Sequence, residues 1–171
     1  MPAIINRPPP ALCPGPGLLL KDQFQIAYVT NDMERARALM ASRYGIREFC
    51  LLEGPMPSGG LMKVAFAWVG STLYELIDAT GPATDFYTRC LPSGDFAIRF
   101  HHLGFLVHDR DHWLALEREL EDGDWPIVYR SLSGSFMDAY YVDAPELGHY
   151  LEYIYPYADG AAFLAAVPHN Q

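Results

Sequence analysis

HYLEYIYP, residues 149–156, is a run of strand-forming residues interrupted by one carboxylate, Glu152. Period-2 alternation puts Tyr150, Glu152 and Ile154 on one face and Leu151, Tyr153 and Tyr155 on the other, so Glu152 stands among apolar side chains whichever face is buried. An ionised carboxylate there is costly unless it is paired, hydrogen-bonded or bound to a metal. The chain carries the same arrangement a second time, in LYELIDA (73–79), where Glu75 interrupts another strand-like run. Sliding the sequence by 77 positions lays YELI (74–77) on LEYI (151–154), Glu75 on Glu152, Gln25 on His102, Asp32 on Asp109 and Leu39 on Leu116. Polar and apolar positions that coincide in one register read as an internal duplication.

The elements around these positions fall in the same order twice. FQIAYVT (24–30) predicts a strand and NDMERARALMASRYG (31–45) a helix, with Asn31 and Glu34 resembling a capping box and Gly45 ending it. IREFCLLE (46–53), LMKVAFAWV (61–69) and LYELIDA predict three strands, the last two joined by a tight turn at Gly70-Ser71. HHLGFLV (101–107) then predicts a strand. DRDHWLALERELEDG (109–123) predicts a helix that starts near Asp109 and carries Trp113, Leu116 and Leu120 on one stripe. WPIVYRS (125–131), FMDAYYVD (136–143) and HYLEYIYP predict three further strands. The fold class is α+β, with an extended Pro-rich arm over 1–20, a first βαβββ module over 22–79, a linker over 80–98, a second βαβββ module over 99–157 and a C-terminal tail over 158–171.

Composition narrows the partners. The 171 residues are half apolar without a long apolar run, so no membrane-spanning helix is expected, and the opening stretch lacks the pattern of a secretory signal. Cys13, Cys50 and Cys90 are odd in number and form no CxxC pair, which argues against a disulfide framework or a thiolate zinc site and fits a reducing cytoplasm. A net charge of −9 with scattered Lys and Arg offers no basic stripe for nucleic acid, nor for a membrane surface.

If the two units pack about a pseudo-twofold axis, Gln25, Glu75, His102 and Glu152 converge on one cavity. Two carboxylates alone there would repel, and a divalent cation removes the problem. One imidazole nitrogen and three oxygens suit Zn²⁺, Ni²⁺, Co²⁺, Mn²⁺ or Fe²⁺ without choosing between them. Each residue also has a plainer reading: a solvated edge-strand Glu, a satisfied core His, a Gln bonded to backbone. The pleat sends His101 and His102 to opposite faces, and the register with Gln25 selects His102.

These motifs, FQIAYVTND and HHLGFLVHD each leading into a helix and the strands LYELIDA and YLEYIYP, resemble the paired βαβββ modules of the vicinal oxygen chelate superfamily over roughly residues 22–157. That group includes glyoxalase I, methylmalonyl-CoA epimerase, extradiol dioxygenases and bleomycin-resistance proteins. The resemblance implies a barrel-like sheet, metal ligands at Gln25, Glu75, His102 and Glu152, Glu152 as general base with Glu75 a ligand or second base, and a homodimer. The Gln, Glu, His, Glu order is similar to one form of glyoxalase I. It implies a metal-dependent isomerase, epimerase or lyase that abstracts a proton next to a carbonyl.

Few strand-borne cations are at hand for glutathione or a coenzyme A ester, while Phe66, Trp68, Phe105, Tyr140 and Tyr141 lie on candidate lining strands. A small, largely apolar substrate is therefore expected. Tyr140 and Tyr141 alternate, so only one of them can face it. Two other activities fit the same resemblance: an extradiol-type dioxygenase, whose members usually carry His where Gln25 stands, and a non-catalytic ligand-binding protein of the bleomycin-resistance type.

Overall fold

The computed structural model describes residues 8–9, 16–57 and 59–171. Strand β1 (Asp22–Thr30) leads into α1 (Met33–Tyr44), whose first turn is capped by Asp32, the carboxylate accepting from the Arg35 N–H. Asn31, expected as half of a capping box, serves the linker instead: its amide donates to the Asp95 carbonyl and accepts from the Ala97 N–H. Asp32 holds the extended N-cap backbone, one residue later than the sequence pattern suggests. Gly45 ends the helix at φ 77°, a left-handed conformation that glycine adopts without steric penalty.

Strands β2 (Cys50–Pro55), β3 (Leu61–Val69) and β4 (Thr72–Thr80) complete the first unit, with Gly70 and Ser71 as the two-residue turn between β3 and β4. β2 begins later than expected for a physical reason. Ile46 turns inward onto the Met33 and Met40 cluster, and the N–H groups of Arg47 and Glu48 are taken by the Asn170 side chain. Within the linker, α2 (Asp85–Thr88) is one helical turn. The second unit repeats the order in β5 (Ile98–Leu106), α3 (Arg110–Asp122), β6 (Ile127–Leu132), β7 (Met137–Ala144) and β8 (His149–Pro156). Asp109 caps α3 by accepting from the His112 N–H, as Asp32 caps α1.

The strands run in the order β2-β3-β4-β1-β5-β8-β7-β6. In each unit the first and last strands are parallel neighbours, and the antiparallel pair β1–β5 joins the units. Ala27 lies opposite Glu75 and Gly104 opposite Glu152, positions related by the offset found in the sequence. The edge strands β2 and β6 both line one cavity, so the sheet is curled. Helix α3 covers the convex face with Trp113, Leu116 and Leu120 against Phe105, Tyr140, Leu151 and Tyr153, and α1 does so with Met33, Ala36 and Met40 against Ala65, Ala67 and Leu76.

Residues 158–171 are no loose tail. They form α4 (Ala158–Ala166) and β9 (His169–Asn170), which pairs in parallel with β3. Trp68 fastens this return: its backbone N–H donates to the Pro168 carbonyl and its indole N–H to the Leu164 carbonyl, both at 2.9 Å, and its ring stacks on His169. Of the arm expected over 1–20, residues 1–7 and 10–15, with Cys13, lie outside the described residues. Residues 16–20 form turns, with Leu18 packed on the α3 cluster and accepting a bond from the Tyr153 hydroxyl.

Candidate metal centre

Where the units meet, β1 and β5 each carry one extra residue. The ladder pairs Gln23 with Phe105 and then Gln25 with Gly104, leaving Phe24 unopposed; it pairs Ala27 with His102 and then Tyr28 with Phe100, leaving His101 unopposed. These two bulges stand in the same offset as Gln25 and His102. A bulge re-aims the neighbouring side chains. Simple alternation would part His101 from His102, yet the bulge brings their Nδ1 atoms to 2.9 Å.

The four residues matched by the duplication meet. His102 Nε2 lies 3.2 Å from Glu75 Oε2 and 2.9 Å from Glu152 Oε2. Gln25 Nε2 donates to Glu75 at 2.8 Å and to Glu152 at 3.0 Å, and stands 3.1 Å from His102 Nε2. All four are buried, His102 completely. Gly104 makes room: a Cβ there would stand 2.6 Å from the Gln25 Cβ.

Burial opposes charge on His102, but Glu152 and Glu75 beside it prevail and push its pKa up to about 9. Burial raises Glu75 against the opposing pull of His102. His101 goes the other way, pushed down to about 3 by burial and then by the charge of His102. Burial, followed by the Glu152 charge, lifts Tyr141 well above its ordinary value.

The donor set fits a divalent cation. The ligand atoms of Glu75, His102 and Glu152 all lie within 4.8 Å of one another. Two ligands about 2.1 Å from one ion at right angles stand about 3.0 Å apart, close to the separations seen here. Gln25 presents its nitrogen to the carboxylates; turning the amide over exchanges it for the oxygen a cation would require.

Gln25, Glu75 and Glu152 form the inner wall of a cavity of about 430 Å³, with the buried His102 directly behind them, and Val64, Phe66, Tyr87, Tyr129, Tyr141 and Met137 are among its other lining residues. Phe66 and Tyr141 lie opposite Glu75 and Glu152 in their hairpins and flank the acidic pair. The other expected lining residues do not reach it. Phe105 and Tyr140 belong to the opposite pleat face, where Phe105 stacks on Tyr153 and Tyr140 stacks on Trp113 and donates to Glu117. Trp68 shares the face of Phe66, but α4 and β9 cover it. Tyr87 and Tyr129 were not legible as lining: one sits in the linker turn and the other on an edge strand, and neither position has a repeat signal.

No family model matches the sequence, and no curated protein matches it. Solved structures do match in shape. Streptomyces coelicolor methylmalonyl-CoA epimerase in complex with 2-nitronate-propionyl-CoA superposes with a TM-score of 0.60 at 15% identity, over 80% of this chain and 97% of that one. The Mycobacterium tuberculosis methylmalonyl-CoA epimerase gives 0.59 at 15%, over 85% and 93%. A methylmalonyl-CoA epimerase in complex with methylmalonyl-CoA and NH4+ gives 0.60 at 16%, over 81% and 96%. The chain has the vicinal oxygen chelate fold. In this vicinal oxygen chelate sheet the parallel pairs β1–β4 and β5–β8 place Gln25, Glu75, His102 and Glu152 on the concave side, two from each unit. Among the described residues, no helix is long and apolar enough to cross a membrane.

Proposed function

We propose that this protein is a metal-dependent enzyme that abstracts a proton next to a carbonyl group, an isomerase, epimerase or lyase acting on a small, largely apolar substrate. One observation carries this reading: two carboxylates from different strands meet at the floor of a largely apolar and aromatic cavity, with a buried imidazole from a third strand against both. Gln25, Glu75, His102 and Glu152 would hold the ion. A divalent cation bound there supplies positive charge that polarises the substrate carbonyl and acidifies the adjacent carbon.

Glu152 takes the proton, with Glu75 a ligand or second base. The largely apolar wall limits the solvation of the carboxylate, and the substrate is seated by contact area. The epimerases of similar fold are seen with coenzyme A esters. Among the described residues the lining contains three acidic ones, Glu53, Glu75 and Glu152, and no Lys or Arg to offer phosphates a counter-charge within the cavity. The substrate is therefore taken to be uncharged.

The test joins metal content to proton exchange. Protein purified without chelator is expected to hold about one divalent ion per chain by plasma mass spectrometry, and His102→Ala is expected to lose it. Uncharged aryl and alkyl carbonyl compounds incubated in D₂O with the loaded protein should exchange the hydrogen on the carbon beside the carbonyl. Iron with O₂ uptake on catechols would replace proton transfer by the dioxygenase reading.

A second reading is a metal-free ligand-binding protein. What favours it is that Gln25 and a protonated His102 already satisfy both carboxylates at 2.8–3.2 Å. Failure to bind Zn²⁺, Ni²⁺, Co²⁺, Mn²⁺ or Fe²⁺ when offered would establish it over the enzyme.

A further inference from the structure

The two bulges at the heart of the molecule are filled differently, and the difference follows the chemistry of their neighbours. On β1 the extra residue is Phe24, which packs against Trp68 beside the amide of Gln25. On β5 it is His101, beside the imidazole of His102. The bulge itself therefore does not require a histidine, since an apolar ring occupies its counterpart. His101 is 3% exposed and enclosed by aromatic rings, edge-on to Phe86 at 5.0 Å and stacked on Tyr87 at 5.4 Å, surroundings that would suit a phenylalanine equally well.

What a phenylalanine could not do is hold a hydrogen bond. His101 Nε2 lies 3.0 Å from the Phe86 carbonyl, which only accepts, so Nε2 carries a proton. His101 Nδ1 lies 2.9 Å from His102 Nδ1, and two N–H groups cannot face each other at that distance. A ring with its proton on Nε2 offers a lone pair at Nδ1, so His101 accepts there and His102 donates from Nδ1. The remaining nitrogen of His102, Nε2, is the one aimed at Glu75, Glu152 and Gln25.

We infer that His101 is a positioning residue for the metal centre: through the chain Phe86 carbonyl, His101, His102 it keeps a proton on His102 Nδ1, so that Nε2, the nitrogen set between the carboxylates, is the one left to bind an ion. Metal-ligating histidines usually pass their other N–H to a carboxylate, carbonyl or water. Here a second histidine takes that place, anchored in turn to the backbone of the linker turn α2. The inference rests on the metal reading of the site.

The test compares His101→Phe, which copies the residue of the sister bulge, with His101→Asn, whose Oδ1 falls near the position of the imidazole Nδ1 and can still accept. Zn²⁺ and Co²⁺ affinities are measured by competition with a chromogenic chelator. We expect His101→Phe to bind about 10–100-fold more weakly and His101→Asn to stay within about threefold of the native chain. Equal affinity for all three proteins, or equal loss in both variants, would overturn the inference.

Long-range ¹H–¹⁵N correlation spectra of the native chain read the rings directly and need no variant. His102 is expected with its proton on Nδ1 in the zinc-loaded protein, and His101 with its proton on Nε2 in both states. Zinc on His102 Nδ1, or a proton on His101 Nδ1, would refute the chain of bonds. A native protein that takes up no metal would sink the metal reading, and this inference with it. A native protein that binds metal as tightly as His101→Phe does would sink the inference alone.

Discussion

At Glu152 the physical problem posed by the sequence meets its resolution: a carboxylate on an apolar strand is tolerable because His102 of its own unit and Gln25 of the other reach it at 2.9 and 3.0 Å. Glu152→Gln keeps the shape and removes the base, so proton exchange on a turned-over substrate should fall by about 10²–10⁴-fold, measured by deuterium incorporation. The histidine pair also predicts how the metal-free protein responds to pH. His102, held up to about 9, contributes stability that is complete below its unfolded pKa of about 6.5 and is lost as pH rises towards 9. Glu75, raised by burial, slopes the same way. His101, pushed down to about 3, contributes stability that is complete above about 6.5 and is lost as pH falls towards 3. Urea midpoints of chelator-treated protein should therefore peak between weakly acidic and neutral pH; a midpoint climbing steadily to pH of about 9 would contradict the site geometry.

Among the elements, the parallel pair β5–β8 and the antiparallel pair β1–β5 leave little freedom at the crossing. Gly104 sits there because any side chain would strike Gln25 at 2.6 Å. Gly104→Ala is expected to cost about 1–3 kcal/mol by urea denaturation and to weaken metal binding, since Gln25 must shift. The C-terminal return is a second such element. Asn170 accepts from the N–H groups of Arg47 and Glu48 and donates to the Glu48 carbonyl, holding the entry to β2 against β9. Replacing it with alanine should cost about 1–2 kcal/mol and raise amide hydrogen exchange over residues 46–55, with α3 unaffected. Unchanged exchange there would show that β9 is merely attached to the sheet. The duplication made the eight main strands legible, while α4 and β9 escaped it because they belong to neither repeat and have no counterpart to be aligned with.

For the molecule as a whole, the centre is a seam. Gln25 and Glu75 come from one unit and His102 and Glu152 from the other, so an ion bound by all four ties the units across β1–β5. Binding only to the folded chain stabilises it by mass action: at 100 times its dissociation constant an ion adds about 2.7 kcal/mol, or about 5–10 °C in melting temperature for a chain of this size. Differential scanning fluorimetry with Zn²⁺ or Co²⁺ should show that rise in the native protein and none in His102→Ala. A rise of the same size in both would place the ion elsewhere.

The register of the duplication, read from Gln25 on His102, Asp32 on Asp109, Leu39 on Leu116 and Glu75 on Glu152, was enough to bring the four polar residues to the same place, because parallel strands in equivalent units carry equivalent positions to one axis. Alternation was likewise enough to part Tyr140 from Tyr141. Tertiary structure decided the rest. The bulges at Phe24 and His101 break the alternation by one residue each, and that depends on how β1 and β5 pair across many intervening residues. The fate of Trp68 was settled by a helix and strand that pack from the far end of the chain. Local periodicity records which face a side chain takes within its own strand; it carries no record of what another strand or helix will lay over that face.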